Sequence, residues 1–139
     1  MKYYYLIALL IAGLCLSDSF AADSSAHKAM SLHEDDFSTQ CNLEARNALV
    51  NGDLALVERV CTQAITELEK SDEDREALVN PIMNLAFSYT LTGRFDKATP
   101  LYNRARNIRE KLYGADSKQT KEIDDMIKRQ EEMRKQRNQ

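Results

Sequence analysis

Residues 84–105 read NLAFSYTLTGRFDKATPLYNRA, and 41 residues upstream the chain carries a degenerate copy of the same pattern. Setting Gly52 on Gly93 places Ala45 on Ala86, Leu54 on Phe95, Val57 on Ala98, Cys61 on Tyr102 and Ala64 on Ala105. Small and large positions therefore match through two consecutive helical segments and the turn between them. An internal repeat of this length describes helix–turn–helix units that stack on their neighbours, and it argues against a single closed bundle. Composition agrees with an all-α fold: the 139 residues include two prolines and four glycines, with abundant Ala, Leu, Glu, Lys and Arg.

The chain opens on Met1 and Lys2, an uncharged apolar run from Tyr3 to Leu16, and a short small-polar segment to Ala22. Ser19-Phe20-Ala21 has the small-x-small form of a signal-peptidase site, so residues 1–21 are expected to be a signal peptide, cut after Ala21 or Ala22. Cys15 ends an apolar run, but Leu14 before it is too large for a lipoprotein signal. A periplasmic or secreted location follows, without membrane insertion after cleavage. Residues 22–30, small, polar and unpatterned, are expected to be a disordered lead-in. At Ser31-Leu32-His33-Glu34 a capping-box sequence opens the helical domain, expected over 31–139.

Breaks at Asn51-Gly52-Asp53, Ser71-Asp72-Glu73-Asp74, Thr92-Gly93-Arg94 and Tyr113-Gly114 divide that domain into five helices. The spacing predicts helices to about 51, over 54–70, to about 91, over 95–112, and over 117–137. Pro81 is expected to remove one backbone hydrogen bond and kink the third. The fifth is thinly apolar, with Ile123, Met126, Ile127 and Met133 in one narrow stripe.

The second unit resembles a tetratricopeptide repeat, in the long-period form found in kinesin light chains. The residues that carry the likeness are Asn84-Leu85-Ala86, Gly93-Arg94-Phe95, Ala98, Leu101-Tyr102, Arg104-Ala105 and Ile108-Arg109-Glu110-Lys111-Leu112-Tyr113-Gly114. The first unit keeps Ala45, Gly52 and Ala64 but has Val57 where alanine is usual. The resemblance implies two repeats, about 38–70 and 80–113, with a capping helix at 117–137, in a right-handed superhelical stack. Alanine at a helix crossing lets two backbones approach closely while large neighbours fill the flanking grooves. Ala86 is then expected to face Ala98, Ile82 to face Tyr102, and Ala45 to face Val57. The same register sets Cys41 opposite Cys61, and a disulfide between them is expected to staple the weaker repeat, the alternative being two buried free thiols.

The family binds extended peptides or partner helices on a groove lined by the first helix of each repeat. Carried over by position, that groove comprises Asn42, Arg46, Leu49, Asn80, Met83, Asn84 and Phe87. Asn84 matches the asparagine that often bonds ligand backbone. Met83 and Phe87 lie one turn apart, either open to a partner or covered by the fifth helix.

No chemistry competes with this reading. His27 and His33 are the only histidines, and with Cys41 and Cys61 they lack any usual zinc spacing. There is no phosphate loop or nucleophile elbow, so neither enzyme nor cofactor is expected. Charge is uneven: residues 22–80 hold 13 acids against 5 bases, a net of −8, and residues 81–139 hold 8 against 13, a net of +5. The basic half mixes acids with its cations and lacks interleaved aromatics, so nucleic acid is not an expected ligand. The asymmetry suits either solvated helix faces or head-to-tail homo-oligomer assembly. The leading expectation is an exported, non-catalytic protein–protein interaction module holding a protein or peptide partner.

Overall fold

The computed structural model describes residues 38–70 and 76–139. The expected signal peptide, the lead-in, the capping box, both histidines and the 71–74 turn lie outside the described residues. Helix α1 covers 38–51, α2 Leu54–Leu68, α3 Val79–Leu91, α4 Phe95–Tyr113 and α5 Lys118–Arg137, with a 3-10 turn Glu76–Leu78 leading into α3. The described residues are helical throughout, apart from the short turns and the final residues.

Glycine makes the two hairpin turns alike. Gly52 and Gly93 both adopt φ +73, a left-handed conformation that costs other residues strain. At the first turn Asp53 N–H donates to Ala48 O (2.9 Å) and Gly52 N–H to Leu49 O (3.2 Å). At the second, Arg94 N–H donates to Tyr89 O (2.8 Å) and Gly93 N–H to Thr90 O (3.0 Å). These paired closures satisfy the last helical carbonyls and reverse the chain identically in both units. Asp53 then caps α2, its side chain accepting from Leu56 N–H (3.0 Å).

Each helix packs on the next: α2 on α3, α3 on α4 and α4 on α5. The core is one continuous cluster running from Cys41 to Ile123. Its crossing positions are small and wholly buried: Ala45, Val57 and Ala64 in the first unit, Ala86, Ala98 and Ala105 in the second. The same spacing extends into α5. Ser38, Val79 and Thr120 are buried at successive 41-residue steps, as are Cys41, Ile82 and Ile123, and Ala48, Tyr89 and Gln130. Burial in α5 thus continues the 41-residue register, while most of its surface is exposed and polar.

Two expectations are corrected. Pro81 is the third residue of α3 and sits in its first turn, where its nitrogen owes no helical bond. The kink predicted there is replaced by the change from 3-10 turn to α-helix at Val79. The proline that does fall in a helix interior is Pro100, in α4. The carbonyl that its missing N–H would have reached belongs to Asp96, which is exposed. The second correction concerns the cysteines. Cys41 and Cys61 face each other as the register requires, yet they are free thiols with Sγ atoms 3.7 Å apart. That is the spacing of an S–H···S contact, far beyond the ~2.05 Å of a disulfide.

Ion pairs stitch the acidic half to the basic half. Glu58 of α2 accepts from Arg94 (2.8 Å) and from the Tyr89 hydroxyl (3.0 Å), while the Arg94 guanidinium also lies 4.4 Å from the Tyr89 ring centre. Glu69 pairs with Arg104 and Glu76 with Arg109 (2.7 Å), and within the basic half Asp124 of α5 pairs with Arg106 (2.7 Å). The Arg94 hydrogen bond holds the Glu58 carboxyl below its usual pKa, and the Tyr89 hydroxyl adds to it.

Two outcomes follow for unfolding. Replacing Ala98, which is wholly buried, by Leu over-packs the crossing and should cost about 1–3 kcal/mol. Val50→Leu, at a fully exposed site, should stay within about 0.5 kcal/mol. Urea titrations measure both. A depressed carboxyl stabilises the fold above its unfolded pKa, and that stability is lost as pH falls through the folded value. Glu58→Gln should therefore lower stability at neutral pH and flatten its decline on acidification. An unaltered pH profile would remove Glu58 as a contributor.

Candidate functional site

Helix α3 meets α1 on one side and borders a cavity with α5 on another. On the α1 side, Asn84 Nδ2 of α3 donates to Asn42 Oδ1 of α1 at 3.0 Å. Both asparagines are half-buried. This bond uses one hydrogen of Asn84 and one lone pair of Asn42. By the inventory of an amide side chain, the Asn84 carbonyl, its second N–H and the Asn42 amino group keep capacity for further bonds, a donor–acceptor set. Such a set matches the alternating N–H and C=O groups of an extended backbone.

Beside it, α3 and α5 enclose a cavity of about 390 Å3. Val79, Met83, Ile123 and Met126 make its apolar floor, and Asn80 stands at its edge. Glu122, Asp125 and Arg129 of α5 supply the facing charged wall. Thioethers suit an apolar guest of variable shape, because methionine is unbranched and polarizable.

Arg109 reaches this cavity from α4. Its guanidinium pairs with Glu76 and lies 5.7 Å from the Tyr113 ring centre. Among the described residues, the Arg109 Nε and Glu76 Oε2 atoms are shielded from solvent without a hydrogen-bond partner. Burial pushes the Glu76 carboxyl above its usual pKa, against the pull of Arg109.

Of the seven groove residues expected from sequence, Asn80 and Met83 line the cavity, and Asn42 and Asn84 join in the adjacent amide pair. Leu49 is half-buried against the core, Arg46 is exposed on α1, and Phe87 is half-buried on α3. None of these three lines the cavity. The fifth helix stands as the far wall of the cavity, and Met83 remains half-buried in its floor.

Sequence reasoning missed Arg109 and the α5 residues Gln119, Glu122, Asp125, Met126 and Arg129. The signal for the last five was the 41-residue spacing, which carries on to Thr120, Ile123 and Gln130. Arg109 had no comparable signal, since it approaches from the second helix of its unit.

Among the described residues, no cluster of three or more His, Cys, Asp or Glu is arranged to hold a metal ion, and no helix is long and apolar enough to cross a membrane. The groups assembled here are amides, an apolar floor and a guanidinium. No protein-family model, no curated protein and no solved structure matches this chain.

Proposed function

We propose that the chain is a tetratricopeptide-type interaction module, exported through its N-terminal leader to the periplasm or outside the cell. It would hold an extended peptide segment of a partner protein on the face formed by α1, α3 and α5. In this reading that face is the concave side of a right-handed superhelical stack. The observation that carries the proposal is the Asn84–Asn42 amide pair beside an apolar-floored cavity. An extended backbone bonded by the amides would place one apolar side chain over Met83 and Met126. Recognition of this kind takes affinity from main-chain hydrogen bonds and specificity from a side-chain pocket.

Head-to-tail self-assembly is the rival reading. It would draw on charge the chain already spends internally, since Glu58, Glu69 and Glu76 pair with Arg94, Arg104 and Arg109. Light scattering at low salt separates the two. A monomeric mass is expected, and a mass that rises as salt falls would favour assembly instead.

Recovery of the native partner by crosslinking, followed by binding titrations, tests the peptide face. Asn84→Ala and Met83→Glu should each weaken binding about tenfold or more, the loss expected of a buried contact at an interface centre. Phe87→Ala should weaken it less, because Phe87 lies off the cavity. Helical content should be unchanged in all three. Wild-type affinity in both Asn84→Ala and Met83→Glu would overturn the assignment.

A further inference from the structure

The two thiols between α1 and α2 play no part in the binding face, and their surroundings are unequal. Cys61 is wholly buried, whereas Cys41 retains 5% of its surface. Cys41 also lines an open cleft of about 170 Å3, together with Gln40, Glu44, Arg59, Val60 and Gln63. Cys61 does not line this cleft. Cys41 therefore borders a solvent-connected space, and its sulfur has the wholly buried Cys61 sulfur 3.7 Å away. That is the layout required for a two-step exchange: an outer attacking thiol backed by an inner resolving one.

We propose that Cys41 and Cys61 are a thiol–disulfide exchange site, with Cys41 attacking a small dialkyl disulfide that enters through this cleft and Cys61 resolving the adduct. In the first step Cys41 Sγ bonds to one sulfur of R–S–S–R and the S–S bond of the reagent breaks. The departing RS⁻ takes up the proton given up by Cys41. In the second, Cys61 Sγ attacks Cys41 Sγ, the Cys41–SR bond breaks, and a second RSH leaves with the Cys61 proton. Two electrons and two protons pass from the protein to the reagent, which is reduced to two thiols.

The polar setting supports this order. The Cys61 thiol held against Cys41 lowers the Cys41 pKa, with burial and Glu44 opposing, and the same contact together with burial raises that of Cys61. Exchange begins at the sulfur with the greater thiolate fraction and the better access. Closing the bond would tie α1 to α2 across the first unit, where Val57 stands in place of the second unit's Ala98.

The test uses the reduced full chain and oxidised glutathione, followed by alkylation and peptide mapping. In native wild-type protein, the Cys41 and Cys61 peptides should be recovered joined, with a transient glutathione adduct on the Cys41 peptide preceding them. Cys61→Ser should stop at that adduct. Cys41→Ser should acquire an adduct at Cys61 about tenfold more slowly, as its access through the cleft is lost. The wild-type time course needs no variant, so a misfolded mutant does not blunt the result. Absence of the joined peptide in native protein, with the urea-unfolded chain as the control that the reagent is active, overturns the site. A first adduct on Cys61 overturns the assigned order.

Discussion

Two antiparallel helices can close on each other only where neither carries a bulky side chain at the crossing. In this chain that condition is met by Ala45, Ala86, Ala98 and Ala105, each with no exposed surface. Close approach then lets the larger neighbours, such as Ile82, Tyr102 and Ile108, fill the flanking grooves completely. The glycine turns serve the same geometry, since identical closures at Gly52 and Gly93 return the chain at a matching angle in both units. Everything on the surface, including the spacing between α1, α3 and α5, is set by those crossings.

Charge adds a second layer of specification. The acid-rich first half and base-rich second half meet within one molecule, at Glu58–Arg94, Glu69–Arg104 and Glu76–Arg109. Half-exposed pairs of this kind contribute about 1 kcal/mol or less apiece. Their greater effect is on register. A slip of α4 against α2 and the 3-10 turn at Glu76–Leu78 would separate all three pairs together, so the stitching favours one alignment over its neighbours. Tyr89 ties the same junction through its ring and its hydroxyl, which draws the turn at Gly93 onto α2.

Much of this was legible in the sequence because small residues and glycines at a fixed interval have few alternative explanations. The helix boundaries, the turns and the opposition of Cys41 to Cys61 all come from that interval. The oxidation state of the cysteines did not, because spacing fixes which residues face each other and says nothing about whether a bond forms. Pro81 was misjudged because the start of α3 depends on a 3-10 turn, whose hydrogen bonding leaves no mark in the apolar pattern. The cavity was half visible: Asn80 and Met83 lie on a helix with a readable face, whereas Arg109 reaches in from another layer. Its position follows from tertiary packing, and a periodicity argument cannot supply it.

The seam that holds α5 differs from the others in what it is made of. Its buried residues are Thr120, Ile123 and Gln130, so a single apolar side chain is fully enclosed. Met126 and Ile127 pack half-buried against the core, and polar ties complete the seam: Thr120 to the Gly114 carbonyl, Asp124 to Arg106, and Gln130 to Thr99. One wall of the cavity is thus set in the main core, and the other is held by a mixed seam in which polar bonds, directional where apolar contacts are not, fix how α5 lies along α4.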